Sequence, residues 1–65
     1  MNTRTWITPE QLAERLQVAP GTIANWRTRR VGPKYIRLAG KRGSVRYLLE
    51  DVEQWEKQQR EEVEA

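Results

Sequence analysis

Apolar residues recur along this chain at spacings that change from segment to segment, and each spacing predicts an element. Leu12, Ala13 and Leu16 fall on one face of a helix. Thr8-Pro9-Glu10-Gln11 supplies its start, with a Thr N-cap, a Pro at the first helical position and a Gln three residues after the cap. Ile7 and Leu12 have the spacing of a hydrophobic staple across that cap. The first helix is therefore expected over about 8–16. A second start follows at Pro20, with Ile23 and Trp26 three apart on its inner face and Val31-Gly32-Pro33 ending it, so the second helix is expected over about 20–30. Only Gln17-Val18-Ala19 separates the two, and a turn that short forces a steep crossing.

The period then shortens. Tyr35-Ile36-Arg37-Leu38 and Ser44-Val45-Arg46-Tyr47 alternate, and Ala39-Gly40-Lys41-Arg42-Gly43 between them carries two glycines, which predicts a β-hairpin. The expected register turns Ile36, Leu38, Val45 and Tyr47 toward the helices and leaves Tyr35, Arg37 and Arg46 on the other face. Glu50, Asp51 and Glu53 mark the first turn of a third helix near 49, where negative charge is favoured, and Leu49, Val52 and Trp55 form its inner stripe. Residues 1–5 and about 58–65 read as frayed tails. The fold class is mainly α with a β-hairpin: a small winged helix-turn-helix, in one domain spanning 1–65. Trp6, Trp26, Tyr47 and Trp55 are all expected in the core, since 65 residues without a disulfide have little else to bury.

Charge changes the picture more than composition does. Residues 1–26 balance Arg4 and Arg15 against Glu10 and Glu14, whereas Arg27, Arg29, Arg30, Lys34, Arg37, Lys41, Arg42 and Arg46 follow with no acid among them. Seven acids against Lys57 and Arg60 then fill the remainder, so a net +3 conceals a neutral, a basic and an acidic segment. The basic stretch suits a polyanion. The chain has no Cys and no His, which removes disulfides, thiolate chemistry, the usual zinc ligands and the side chain that titrates near neutrality. No enzyme, cofactor, metal or small-molecule ligand is expected. No apolar run approaches a membrane span, so no membrane association is expected and a cytoplasmic, nucleoid-associated location is the default.

The ordered pieces Trp6 to Glu14, Val18 to Arg27, Pro33 to Leu38, Val45-Arg46-Tyr47 and Asp51 to Trp55 resemble the MerR-like winged-helix group of excisionases and AlpA-type regulators. The resemblance covers about residues 6–55. It implies double-stranded DNA as partner, the second helix in the major groove and the wing against the backbone or the minor groove. It further implies either of two roles: a recombination directionality factor that bends attachment-site DNA and helps an integrase run excision, or an AlpA-type regulator at a promoter. Ala19 departs from the pattern, because a capping Ser is common there, and forgoes about 1 kcal/mol.

Helical phase turns Gly21, Asn25 and Thr28 outward, with Thr22 and Arg29 on the flank. Asn25 has the groups to bond adenine bidentately, Arg29 to reach guanine, and Thr22 to take a phosphate or a thymine methyl. Arg27 and Arg30 lie nearer the inner face, with guanidinium groups in reach of phosphate. Lys34, Arg37, Ser44 and the tip residues Lys41 and Arg42 form the wing side of the candidate surface. Arg46 has two partners in view, a phosphate or Asp51. On the third helix, Glu53, Glu56, Gln58 and Arg60 are candidates for a protein contact with a neighbouring copy or an integrase, against the plainer alternative of a solvated face. Self-assembly of basic wing on acidic helix is a further alternative.

Overall fold

The computed structural model describes residues 4–40 and 43–64, and the side chains up to 61. It has six elements: β1 (Trp6–Ile7), α1 (Pro9–Leu16), α2 (Pro20–Arg29), β2 (Ile36–Arg37), β3 (Val45–Leu48) and α3 (Leu49–Glu64). The winged helix-turn-helix expected from the sequence is the fold observed, with α1 and α2 as the helix pair and β2–β3 as the wing.

The helix starts follow local chemistry. The Thr8 N–H donates to Gln11 Oε1 at 2.8 Å while the Gln11 N–H donates to Thr8 Oγ1 at 3.0 Å, which completes the capping box. Gln17 ends α1 in the left-handed region at φ 58°, and the Val18 N–H donates back to the Ala13 carbonyl at 3.0 Å, turning the chain into α2 within three residues. Ala19 holds an extended N-cap backbone with no side-chain hydrogen bond, as its missing hydroxyl requires. Arg30 closes α2, one residue earlier than expected, at φ 59°. Gly32 then lies against Trp26: at φ +91°, a Cβ there would stand 3.1 Å from Trp26 Cε3.

The sheet corrects the sequence reading twice. β1 is a strand that the pattern did not announce; it pairs antiparallel with β3, Trp6 opposite Leu48 and Ile7 opposite Tyr47, giving a three-stranded sheet in the order β1-β3-β2. The same contact supplies the start of α3, where no side-chain cap stands at Leu48: the Leu49 N–H donates to the Thr5 carbonyl at 2.8 Å.

The second correction is the hairpin register. The Leu38 N–H donates to the Ser44 carbonyl at 2.8 Å, and closing the loop there pairs Arg37 with Val45 and Ile36 with Arg46. Strand partners share a face. Val45 and Tyr47 do face the helices, but Ile36 and Leu38 emerge on the opposite side with Arg46, and Tyr35 and Arg37 turn to the Tyr47 side.

The core is Leu12, Ala13, Ile23, Val45, Tyr47 and Val52, with Ile7, Leu16, Val18 and Trp26 packed against it. Trp6 is a further correction: its strand position puts it opposite Leu48, on the outer face, and 40% of it is exposed. Trp26 and Trp55 are half-buried rather than enclosed, their ring centroids 5.4 Å apart and tilted by 47°.

Candidate nucleic-acid interface

α2 presents its polar residues as helical phase requires once Ile23 is fully buried. Asn25, Thr28, Arg29 and Arg30 are exposed, and Thr22 and Arg27 are half-buried. The Thr28 hydroxyl donates to the Ala24 carbonyl at 3.3 Å.

Arg27 is the most constrained of these cations. Its Nη1 donates to the Tyr47 hydroxyl at 3.2 Å, giving a phenol whose residue is only 1% exposed a partner for its oxygen. The Arg27 guanidinium also lies 5.9 Å from the centroid of the Tyr35 ring. Arg37, from β2, lies at the same 5.9 Å from that ring, and Tyr35 is itself 5.9 Å from Tyr47. One aromatic ring thus gathers a cation from α2 and a cation from the wing, each within cation–π range. Sequence reasoning took Tyr35 to face away from Tyr47; closure of the hairpin at Leu38 on Ser44, which no local signal announces, puts Tyr35 on the Tyr47 side.

The other wing candidates are less tied. Lys34, Arg37 and Ser44 are exposed. Arg46 is half-buried, and its Nη1 donates to the neighbouring Val45 carbonyl at 2.8 Å. Among the described residues no ion pair joins Arg46 to Asp51, so that alternative is set aside. Lys41 and Arg42 lie outside the described residues.

On α3, Glu53, Gln58 and Arg60 are exposed, and Glu56 is half-buried and paired with α1. Arg15 Nε and Nη2 donate to its two carboxylate oxygens at 2.8 and 2.9 Å, a two-pronged bridge from α1 to α3. Those hydrogen bonds hold the Glu56 carboxyl below the usual range and raise the Arg15 guanidinium above its own, partial burial opposing both. Glu56 is therefore a contact between α1 and α3. Beside it, Leu16, Val18, Trp26 and Trp55 line an open groove of about 500 Å³ rimmed by Glu56, Gln59 and Arg60. Among the described residues no group of His, Cys, Asp and Glu could hold a metal ion, and no helix is long and apolar enough to cross a membrane.

Two helices across a three-residue turn, a hairpin whose edge strand carries Arg37, and a third helix packed on β3 define a winged helix-turn-helix. The family-model comparison agrees: the model of the helix-turn-helix domain family matches residues 6–60, and the chain belongs to that family of DNA-binding proteins. No curated protein and no solved structure matches the chain.

Proposed function

We propose that this protein is an architectural DNA-binding protein of the excisionase type, a recombination directionality factor. Several copies bind beside an attachment site and bend the duplex so that an integrase runs excision. α2 enters the major groove, where Asn25 and Arg29 read base edges and Thr22 and Thr28 contact a phosphate or a thymine methyl. Arg27, Arg30, Lys34, Arg37, Arg46 and the tip residues Lys41 and Arg42 neutralise the flanking phosphates, and Ser44 adds a hydrogen bond to one.

The observation that carries the multi-copy reading is the bare outer face of the sheet. Trp6, Ile36 and Leu38 are 40%, 42% and 45% exposed, and the register puts them on one face with Leu48 and Arg46. An apolar cluster of that kind on so small a domain suits contact with another protein surface, here a neighbouring copy. One module of this size buries about 600–1,000 Å² on DNA and reads too few bases to select a site alone. Adjacent copies supply the missing specificity, and their summed contacts repay a bend costing on the order of 1–6 kcal/mol. Glu53, Gln58 and Arg60, exposed on α3, are the surface proposed to meet an integrase.

Footprinting tests this on a duplex carrying both an attachment region and the promoter of the protein's own gene. Several phased protected sites beside the attachment core, with enhanced cleavage between them, are expected; protection confined to the promoter would make the protein an AlpA-type regulator instead. With roughly six to eight phosphates neutralised, log K falls against log salt with a slope of about −5 to −7. A slope near zero refutes the electrostatic interface.

A further inference from the structure

We propose that Tyr35 is a positioning residue that sets the recognition helix and the wing in one DNA-ready arrangement by holding Arg27 and Arg37 against a single ring; this rests on the DNA reading of those two arginines. Three observations converge on it. The two guanidinium groups come from different elements, α2 and β2, yet stand at equal distances of 5.9 Å from the Tyr35 centroid. The ring they share is anchored on the core through Tyr47, 5.9 Å away. Tyr47 in turn accepts a hydrogen bond from Arg27 at 3.2 Å, so the cluster closes on itself: helix cation, buried phenol, wing aromatic, wing cation.

The chemistry follows from what free arginines lose on binding. A flexible guanidinium must be ordered when it meets a phosphate, and that ordering weakens binding; side chains already held in place lose less. Aromatic faces hold cations without using up all the N–H donors, so the groups that face the ring remain able to bond phosphate oxygens. Tyr35 is 37% exposed, which lets such a cluster meet the duplex rather than vanish into the core. Its role is thus pre-organisation of two phosphate contacts on either side of the gap between major-groove helix and wing.

The test compares Tyr35→Leu and Tyr35→Phe with the full wild-type chain on a duplex selected by the wild-type protein from random sequence, with the affinity measured across a salt series. Tyr35→Leu is expected to bind about tenfold more weakly, with the slope of log K against log salt unchanged, because both arginines still reach the DNA once bound. Tyr35→Phe, which keeps the ring, is expected to bind within twofold of wild type. Binding by Tyr35→Leu within twofold of wild type overturns the proposal, and so does a Tyr35→Phe as weak as Tyr35→Leu, which would make the hydroxyl a direct DNA contact. If Tyr35→Leu does not fold, nuclear magnetic resonance of the folded Tyr35→Phe and wild-type proteins without DNA decides. Slowed rotation of the Arg27 and Arg37 guanidinium groups in both proteins supports the cluster, and free rotation of both groups in both overturns it. A wild-type protein that selects no duplex overturns the DNA reading itself, an outcome distinct from normal wild-type binding with an indifferent Tyr35→Leu.

Discussion

Replacing Gly43 with alanine probes the wing more sharply than any charge reversal. A Cβ at this position would stand 1.1 Å from the Leu38 carbonyl oxygen and 2.3 Å from its carbon, so the loop cannot keep its path. Two hydrogen bonds hold that path, Gly43 N–H to the Gly40 carbonyl at 3.0 Å and Leu38 N–H to the Ser44 carbonyl at 2.8 Å. Moving Leu38 away from residue 43 sacrifices both, and at about 0.5–1.5 kcal/mol net apiece the loss is about 1–3 kcal/mol. In a chain this small, whose total stability is a few kcal/mol, that is a large fraction. Leu12, Ile23 and Val52 are untouched, and β3 keeps its pairing with β1, so the helical part survives. Gly40→Ala is the matched control: nothing lies within 4 Å of its Cβ, and the substitution carries only the strain of a left-handed backbone at φ +88°, about 1 kcal/mol. Urea unfolding followed by tryptophan fluorescence measures both, and DNA titration in the same buffer measures the wing. Gly43→Ala should be the less stable of the two and the weaker DNA binder. Stability within about 0.5 kcal/mol of wild type, or a larger loss in Gly40→Ala, would refute the reasoning.

Three other predictions follow from separate parts of the molecule. Ala19 holds an extended N-cap backbone at φ −67°, ψ 144° with no side-chain bond, so Ala19→Ser should raise stability by about 1 kcal/mol, and an unchanged urea midpoint would count against the cap geometry. Glu56 has its carboxyl lowered chiefly by hydrogen bonds from Arg15, so its contribution is complete above the ordinary glutamate range and is lost as pH falls through the lowered value. With side chains 40% and 30% exposed, that contribution at neutral pH is below about 1 kcal/mol; thermal melts carried into acid should show Glu56→Gln less pH-dependent than wild type, and identical profiles would contradict it. Leu12 is completely buried, so Leu12→Ala should cost about 3 kcal/mol and leave a substantial unfolded population by circular dichroism at ambient temperature.

What the sequence determined by itself was whatever a few consecutive residues can decide. Thr8 and Gln11 cap each other across three positions, Pro20 opens α2, and the phase of Ile23 within one helix puts Asn25, Thr28 and Arg29 outside. The alternation of Val45 and Tyr47 chose their inner face, and the run of cations from Arg27 to Arg46 set the basic segment apart. Each of these depends on contacts inside one turn or on the order of charges, and needs no knowledge of distant partners. What only the tertiary structure decided involves residues far apart in the chain. β1 exists because β3 offers it an edge, and nothing in Trp6-Ile7 marks a strand of two residues. The hairpin parity depends on where the loop closes, at Leu38 on Ser44, and one residue of slip exchanges Ile36 for Arg37 on the inner face. Arg15 meets Glu56 across 41 residues, and Tyr35 meets Arg27 only through the return of the chain after α2. Hydrophobicity favours Ile36 inside, but β2 is an edge strand whose inner side meets Arg27 and Tyr47, where the Tyr35 ring lies against Tyr47 and also faces the cation.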